Sequence, residues 1–192
     1  KGLAAGSFNI SLNASVISDK EGNKNAKTAS GSITVAKVSA TNPTLTAYKG
    51  VYDGASHTIG VSGGTGGTIE YSTDNRTWTT TKPTRTDVGT TTVYVRVTGD
   101  SNHETRSARR ENIEMWKRPT TRKPERTSRA YNGSALTNTT EGSCTNLVSG
   151  HSATFSGHKG TITNVGSVAN TFGSVAIKSG TTDVSKNYSI TT

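Results

Sequence analysis

The sequence predicts an all-β fold made of small β-sandwich modules. Only 29% of its 192 residues are hydrophobic and 6% are aromatic, which suits narrow sandwiches whose strands turn every second side chain to water. Thr, Ser, Gly and Asn are abundant, whereas the helix formers Leu, Met and Gln are scarce or absent. No window shows the apolar stripe of an amphipathic helix, and no apolar run is long enough to cross a membrane. We therefore expect strands and tight turns, without membrane insertion.

Short alternating segments mark the predicted strands. The clearest alternation lies in residues 91–97, where three Val side chains share one face. Residues 68–72 and 77–79 predict a hairpin that turns at Asp74-Asn75. In the last part of the chain we expect short strands at 153–155, 160–163, 174–177 and 188–190.

Two turn motifs recur along the chain. Tyr52-Asp53-Gly54 matches Tyr131-Asn132-Gly133, and Asp87-Val88-Gly89 matches Asn164-Val165-Gly166. Residues 33–37 precede the first Tyr motif much as residues 113–117 precede the second. The period of roughly 80 residues is too long for a solenoid and fits a small β-domain. Asp-Gly and Asn-Gly dipeptides favour positive φ, so we interpret both Tyr motifs as structural turns, with each Tyr ring over the edge of the core.

The repeat divides the sequence into three segments, which we call modules. Residues 1–37 are interpreted as the closing strands of a partial module or as an exchangeable N-terminal segment. Residues 38–117 form a complete β-module, and residues 118–192 form a second β-module that lacks its final strand. A fragment of a longer tandem array explains these ends. One alternative is strand donation between copies, with Ile33 and Val35 in the donor strand, which leads head-to-tail to a filament. The other is that residues 1–37 fold back within their own chain.

The motifs together resemble a known repeat. Beside the Tyr and Val-Gly motifs, Tyr71-Ser72-Thr73-Asp74 is followed by Trp78, and Asn187-Tyr188 stands near the last strand. This combination resembles the MBG-type repeats, bacterial immunoglobulin-like modules of large secreted or wall-anchored proteins of Firmicutes. The resemblance implies tandem immunoglobulin-like β-sandwiches, with β-grasp-like modules as the alternative. It also implies an extracellular, cell-surface or secreted location and an adhesive or stalk-like, non-enzymatic role.

Positive charge is concentrated in residues 106–129, which hold nine basic residues against three acidic ones, whereas the whole chain carries a net charge of +9. Such a patch can bind anionic glycans or wall polymers, or can simply be a solvated surface. Specific nucleic-acid binding is not expected, because few aromatic side chains are interleaved with the charges. The candidate polyanion-binding residues are Arg106, Arg109, Arg110, Lys117, Arg118, Arg122, Lys123, Arg126 and Arg129.

No residue set predicts catalysis, a metal site or a cofactor. Cys144 is the only cysteine, and neither His151 nor His158 comes with an orienting partner that would make it a base for a thiol nucleophile. The four His residues lack metal-ligand spacing.

The sequence therefore predicts a non-catalytic extracellular structural repeat that acts as a stalk or adhesin segment of a bacterial surface protein. Two alternatives stay open, a subunit of a self-assembling extracellular filament and a module that binds anionic glycans or wall polymers. The expected partners are neighbouring modules or copies of the chain itself, and host or wall glycans.

Overall fold

The computed structural model describes residues 3–12, 14–15, 17–25, 29–138, 141–157, 160–171 and 173–192. Strands and turns dominate these residues, and the helical structure among them is one short 3₁₀ turn, Ser185–Asn187. The predicted all-β class is therefore confirmed. In the part of the chain that the structure describes, no helix has the length and apolar character needed to cross a membrane.

The strands follow one another closely along the chain. Those of the first half are β1 Gly6–Leu12, β2 Ala29–Val35, β3 Val38–Ser39, β4 Pro43–Thr46, β5 Tyr48–Val51, β6 Gly60–Gly63, β7 Gly67–Ser72, β8 Gly89–Gly99 and β9 His103–Glu104. Those of the second half are β10 Arg109–Trp116, β11 Arg118–Lys123, β12 Leu136–Thr137, β13 Ser143–Cys144, β14 His151–Ser156, β15 Thr161–Ile162, β16 Ser174–Ser179, β17 Thr182–Asp183 and β18 Tyr188–Thr191.

The chain forms two compact units whose limits differ from the module limits predicted at residues 38 and 118. The first unit comprises Lys1–Thr46, Ile59–Pro83 and Thr92–Glu111, and the second comprises Ala47–Thr58, Thr84–Thr91 and Asn112–Thr192. The difference arises because Tyr52 and Met115 of the first complete module lie in the core of the second unit, together with Ile177, Val184 and Tyr188.

In the first unit, β7 and β8 form an antiparallel ladder from Gly67↔Gly99 to Ser72↔Tyr94. The three Val side chains of residues 91–97 are each at most 1% exposed, as their predicted common face requires. The expected return of 77–79 onto 68–72 is present as a bridge between Tyr71 and Thr79.

A two-stranded antiparallel ribbon, β1 with β2, also belongs to the first unit. Directly paired residues point to the same side of such a ribbon, so Phe8, Ile10, Ile33 and Val35 share one face. The opposite face is polar. Ile10 is 54% exposed and Ile33 is 48% exposed, so the apolar face of this ribbon is largely open to solvent.

In the second unit, β5 and β10 pair in parallel from Ile113↔Tyr48 to Trp116↔Val51. A three-stranded sheet has the order β13-β11-β18, and another has the order β14-β16-β17. These elements surround the core that contains Tyr52, Met115 and Tyr188.

Strand pairs in residues 38–117 have counterparts in residues 118–192. β3 pairs in parallel with β9 at Val38↔His103, and β11 pairs in parallel with β18 at Arg118↔Tyr188. The six-residue ladder of β7 and β8 has its counterpart in the six-residue ladder of β14 and β16. The bridge His57↔Arg85 corresponds in the same way to Leu136↔Ile162.

Candidate functional site

The first Tyr motif lies in a cluster of rings in the second unit, which we call the tyrosine junction and which comprises Tyr52, His151 and Tyr188. Tyr52 is 3% exposed and meets the ring of Tyr188 edge-on at 5.6 Å. The Tyr188 hydroxyl accepts a hydrogen bond from the backbone N–H of Val148 at 3.1 Å and lies 2.7 Å from His151 Nδ1. Burial raises the pKa of Tyr188, so the phenol stays neutral and can act as both donor and acceptor.

The Asp87-Val88 turn is held by one buried amide. Asn187 is fully buried; its Oδ1 accepts from the Val88 N–H at 3.0 Å and its Nδ2 donates to Asp87 Oδ1 at 2.9 Å. Lys186 Nζ lies 2.6 Å from Asp87 Oδ2. The Lys186 and Asn187 hydrogen bonds hold the pKa of Asp87 below its usual value. We call these four residues the Asn187 clamp.

Arg118, one of the candidate polyanion-binding residues, is engaged inside the second unit. Its Nε donates to the carbonyl of Asn146 at 2.7 Å, and another guanidinium N–H donates to Asn146 Oδ1 at 2.9 Å. A third donates to the carbonyl of Tyr52 at 3.3 Å. The side chain therefore ties the first Tyr motif to the segment that follows β13.

The two Tyr motifs have the same local turn geometry. Asp53 Oδ1 accepts from the Ala55 N–H at 2.9 Å, and Gly54 has φ +80°. Likewise, Asn132 Oδ1 accepts from the N–H two residues further on at 3.1 Å, and Gly133 has φ +77°. Positive φ is the conformation that Gly allows at little cost, which is why both motifs carry it.

The surroundings of the two motifs differ strongly. A Cβ on Gly54 would lie 3.1 Å from Val148 Cγ1, whereas a Cβ on Gly133 would meet nothing within 4 Å. Tyr131 is 66% exposed, in contrast to buried Tyr52. Both Tyr rings were expected over the core edge, and for Tyr131 this prediction is wrong, because no segment among the described residues covers its ring.

A cavity of about 700 Å³ lies beside the second Tyr motif, between residues 124–138 and 160–170. We call it the open groove. Residues 124–135, all in the described part of the chain, form no strand. The exposed Val165 and Val168, at 85% and 52%, also line it. Asn170 Oδ1 is buried here and has no hydrogen-bond partner among the described residues.

The other candidate polyanion-binding residues are distributed over both units. Arg106, Arg109 and Arg110 are exposed residues of the first unit. Arg129 is exposed in the second unit and donates to the carbonyl of Ser134. The remaining members in the second unit are the exposed Lys117, Lys123 and Arg126 and the half-buried Arg122. Polyanion binding stays a prediction.

The residues considered as a nucleophile and its base are Cys144, His151 and His158. Cys144 is half-buried, and burial raises the pKa of its thiol, which disfavours the nucleophilic thiolate. His151 is engaged with the Tyr188 hydroxyl, and His158 lies outside the described residues. Within the described ranges, no group of three or more His, Cys, Asp or Glu side chains is placed to hold a metal ion.

The contacts of His151, Tyr188 and Asn187 were not predicted from the sequence. The available signal was the Asn187-Tyr188 pair, whose counterpart in the preceding module is Asn102-His103. Both pairs enter the strand that pairs in parallel with the start of the module, which identifies them as a repeated element.

Neither a protein-family model nor a curated protein matches this sequence. The resemblance to MBG-type repeats therefore stays a prediction from motifs.

Proposed function

We propose that the chain is a non-catalytic structural segment of tandem immunoglobulin-like modules, which acts as a stalk or adhesin spacer on a bacterial surface. The observation that carries the proposal is the parallel pairing of the strand that opens a module with the strand near its end. In module 118–192 this pairing runs from Arg118↔Tyr188 to Thr121↔Thr191. In module 38–117 it is the shorter pair Val38↔His103 and Ser39↔Glu104.

The parallel arrangement has a mechanical consequence. Tension on a tethered chain pulls β11 from its N-terminal side and β18 from its C-terminal side. Because the two strands are parallel, the two pulls act in opposite directions along the ladder. All the hydrogen bonds between them are then loaded together in shear, rather than opened one after another. A module of this kind resists extension, which is what a stalk requires.

The tyrosine junction supports the same role. Residues 47–58, 84–91 and 112–117 of the first complete module share a compact unit with residues 118–192. The Asn187 clamp adds polar bonds between positions almost 100 residues apart in the chain. Parts of both modules thus share the packed core of the second unit.

Single-molecule force spectroscopy on the full chain, attached at its two ends, tests the proposal. We expect module 118–192 to unfold in one abrupt event at a force set by shear of β11 against β18, because forced unfolding follows the unfolding rate. The matched control attaches the same chain through cysteines placed at Ser156 and Ser174, in a Cys144→Ser background. These residues face each other at one end of the ladder between β14 and β16, so the pull unzips it.

A clearly higher force for the end-to-end geometry than for the unzipping geometry supports a stalk. Equal, low forces in both geometries contradict it. The surface location rests on the resemblance alone, and protease accessibility of the protein on intact producing cells is the measurement that checks it.

A further inference from the structure

We propose that a polar cleft in the first unit is a binding site for an acidic saccharide, a sugar ring that carries one carboxylate. The cleft has a volume of about 580 Å³ and is lined by residues 44–45 of β4, Asn75, Tyr94 of β8 and residues 108–111 around the start of β10. All of them belong to the first unit. The volume lies in the range of small-ligand sites. The inference goes beyond the structural role proposed above, because a stalk requires no ligand.

The anion contact comes from two guanidinium groups that the protein itself leaves unengaged. Arg109 and Arg110 are exposed, and in the described part of the chain their side chains have no hydrogen-bond or ion-pair partner. Arg96 of the same unit, in contrast, donates to Glu70 at 2.8 Å. A guanidinium presents its N–H groups in a planar fork that matches the two oxygens of a carboxylate. Arg109 and Arg110 therefore form the anion-binding side of the cleft.

The charge balance of the cleft favours a ligand with a single negative charge. Glu111 also lines the cleft and is half-buried, and its carboxylate has no ion-pair partner among the described residues. Two guanidinium groups and one carboxylate leave one net positive charge, which one ligand carboxylate neutralises. A second negative charge on the ligand is repelled by Glu111. The Glu111 oxygens accept hydrogen bonds, so they suit a ligand hydroxyl.

Tyr94 gives the cleft an aromatic wall. On β8 the Val side chains at 93, 95 and 97 are buried, so Tyr94 lies on the opposite face of the strand, where it is half-buried. Within the described ranges no ring or cation stacks on Tyr94, whereas Arg96 lies 4.2 Å from the centroid of the Trp78 ring. A tyrosine combines an apolar ring with a polar hydroxyl. The C–H face of a sugar ring can pack on the one while a sugar hydroxyl bonds to the other.

A fixed turn positions Asn75 at the cleft. Its φ of +58° is a conformation that Asn adopts more readily than most residues. The Asp74 carboxylate accepts from the N–H groups of Arg76 and Thr77 at 2.8 Å each, which fixes the turn. The Asn75 amide itself has no partner among the residues that the structure describes, so it is available to a sugar hydroxyl. A wall that is already ordered loses little entropy when a ligand binds.

An NMR titration of the isotope-labelled full chain tests the proposal, at about 0.15 M salt to screen diffuse attraction. The probe is methyl glucuronide, and its matched control is methyl glucoside, which has a hydroxymethyl group in place of the carboxylate. We expect saturating shifts of the backbone amides of Asn75, Tyr94 and residues 108–111, and about tenfold weaker binding of the glucoside, because it lacks the charged contact. Equal binding of the two sugars overturns the inference, as do shifts spread over the basic residues of both units.

Charge-matched variants locate the site. We expect Arg109→Gln with Arg110→Gln to weaken methyl glucuronide binding by about tenfold. Arg106→Gln with Arg126→Gln removes the same charge from exposed residues that do not line the cleft, and should leave the affinity unchanged. The dispersion of the same spectra shows that each variant is folded. Equal losses in the two double variants, or no loss in the first, overturn the inference.

Two further probes separate the carboxylate from the sugar ring. Acetate has the carboxylate alone, and the same sugar with a phosphate ester in place of the carboxylate has a second negative charge. We expect both to bind more weakly than methyl glucuronide, acetate because it cannot pack on Tyr94 and the phosphate ester because Glu111 repels it. Acetate that binds as tightly overturns the saccharide, and a tighter phosphate ester overturns the carboxylate. The pulling experiment is independent of all these results, so a chain without a sugar site can still be a stalk.

Discussion

At the residue scale, the side chain of Asn187 connects two turns that are distant in sequence. Its amide has one acceptor and one donor group, and the Val88 N–H and the Asp87 carboxylate engage them. Removing this amide costs stability, because both turn contacts are lost and the half-buried Val88 N–H is left without this partner. The two hydrogen bonds offset the cost of burying the Asn187 amide completely.

We expect Asn187→Ala to lower the free energy of unfolding by about 2 kcal/mol, because the Val88 N–H and Asp87 lose their buried partner. Urea denaturation of the full chain measures it. Asn102→Ala is the matched control: Asn102 is the counterpart of Asn187 but is exposed, so its loss should cost less than about 1 kcal/mol. Equal effects of the two substitutions would contradict the role assigned to the clamp.

The clamp also predicts a pH dependence. The pKa of Asp87 is lowered from 3.8, first by Lys186 and then by Asn187. The folded state therefore binds this proton less readily than the unfolded state does. The stabilisation is fully present above pH 3.8 and is lost as the pH falls through the lowered pKa. We expect Asp87→Asn to reduce the fall in the free energy of unfolding at acidic pH, measured by urea denaturation at several pH values. An unchanged fall would show that other carboxylates cause the acid destabilisation.

At the element scale, β10 has one face in the core and the opposite face on the surface. Ile113 and Met115 are buried, whereas Trp116 is 52% exposed, which follows from the alternation of side chains along a strand. β2 has a similar alternation of apolar residues, yet Ile33 is half exposed. The alternation therefore determines which face of a strand is apolar, but it does not determine which segment covers that face.

We expect Met115→Ala to destabilise the protein by about 2–4 kcal/mol, because it leaves a cavity in the core of the second unit. Trp116→Ala removes a larger side chain from an exposed position and should cost less than about 1 kcal/mol. Thermal and urea unfolding of the two variants measure the difference. A larger effect of the Trp substitution would place the hydrophobic core elsewhere.

At the scale of the whole molecule, basic residues outnumber acidic residues. The net charge is +9 and the isoelectric point is near 9.8. Exposed charges of one sign attract polyanions over a distance that salt shortens, to about 10 Å at 0.1 M ionic strength. A surface of this kind can attract anionic polymers without selecting among them.

We therefore expect the chain to be retained on heparin and on dextran sulfate alike, and to be released from both by moderate salt. Arg126→Glu and Arg129→Glu together should lower the salt concentration needed for release, since both side chains are exposed. Arg118 is omitted because its guanidinium is engaged inside the second unit. Retention on one polymer alone at high salt would indicate a specific glycan site, the alternative predicted from the sequence.

The sequence by itself determined the all-β class, the buried face of residues 91–97 and the positions of the two Gly turns. Each of these depends on local chemistry, namely side-chain alternation and the backbone freedom of Gly at positive φ. The limits of the compact units were not predictable in this way. Only the tertiary structure decided that Tyr52 is buried and Tyr131 is exposed, although both precede the same turn. The physical reason is that burial depends on which distant segment packs against a residue: Tyr188 and His151 pack against Tyr52, whereas Tyr131 is 66% exposed.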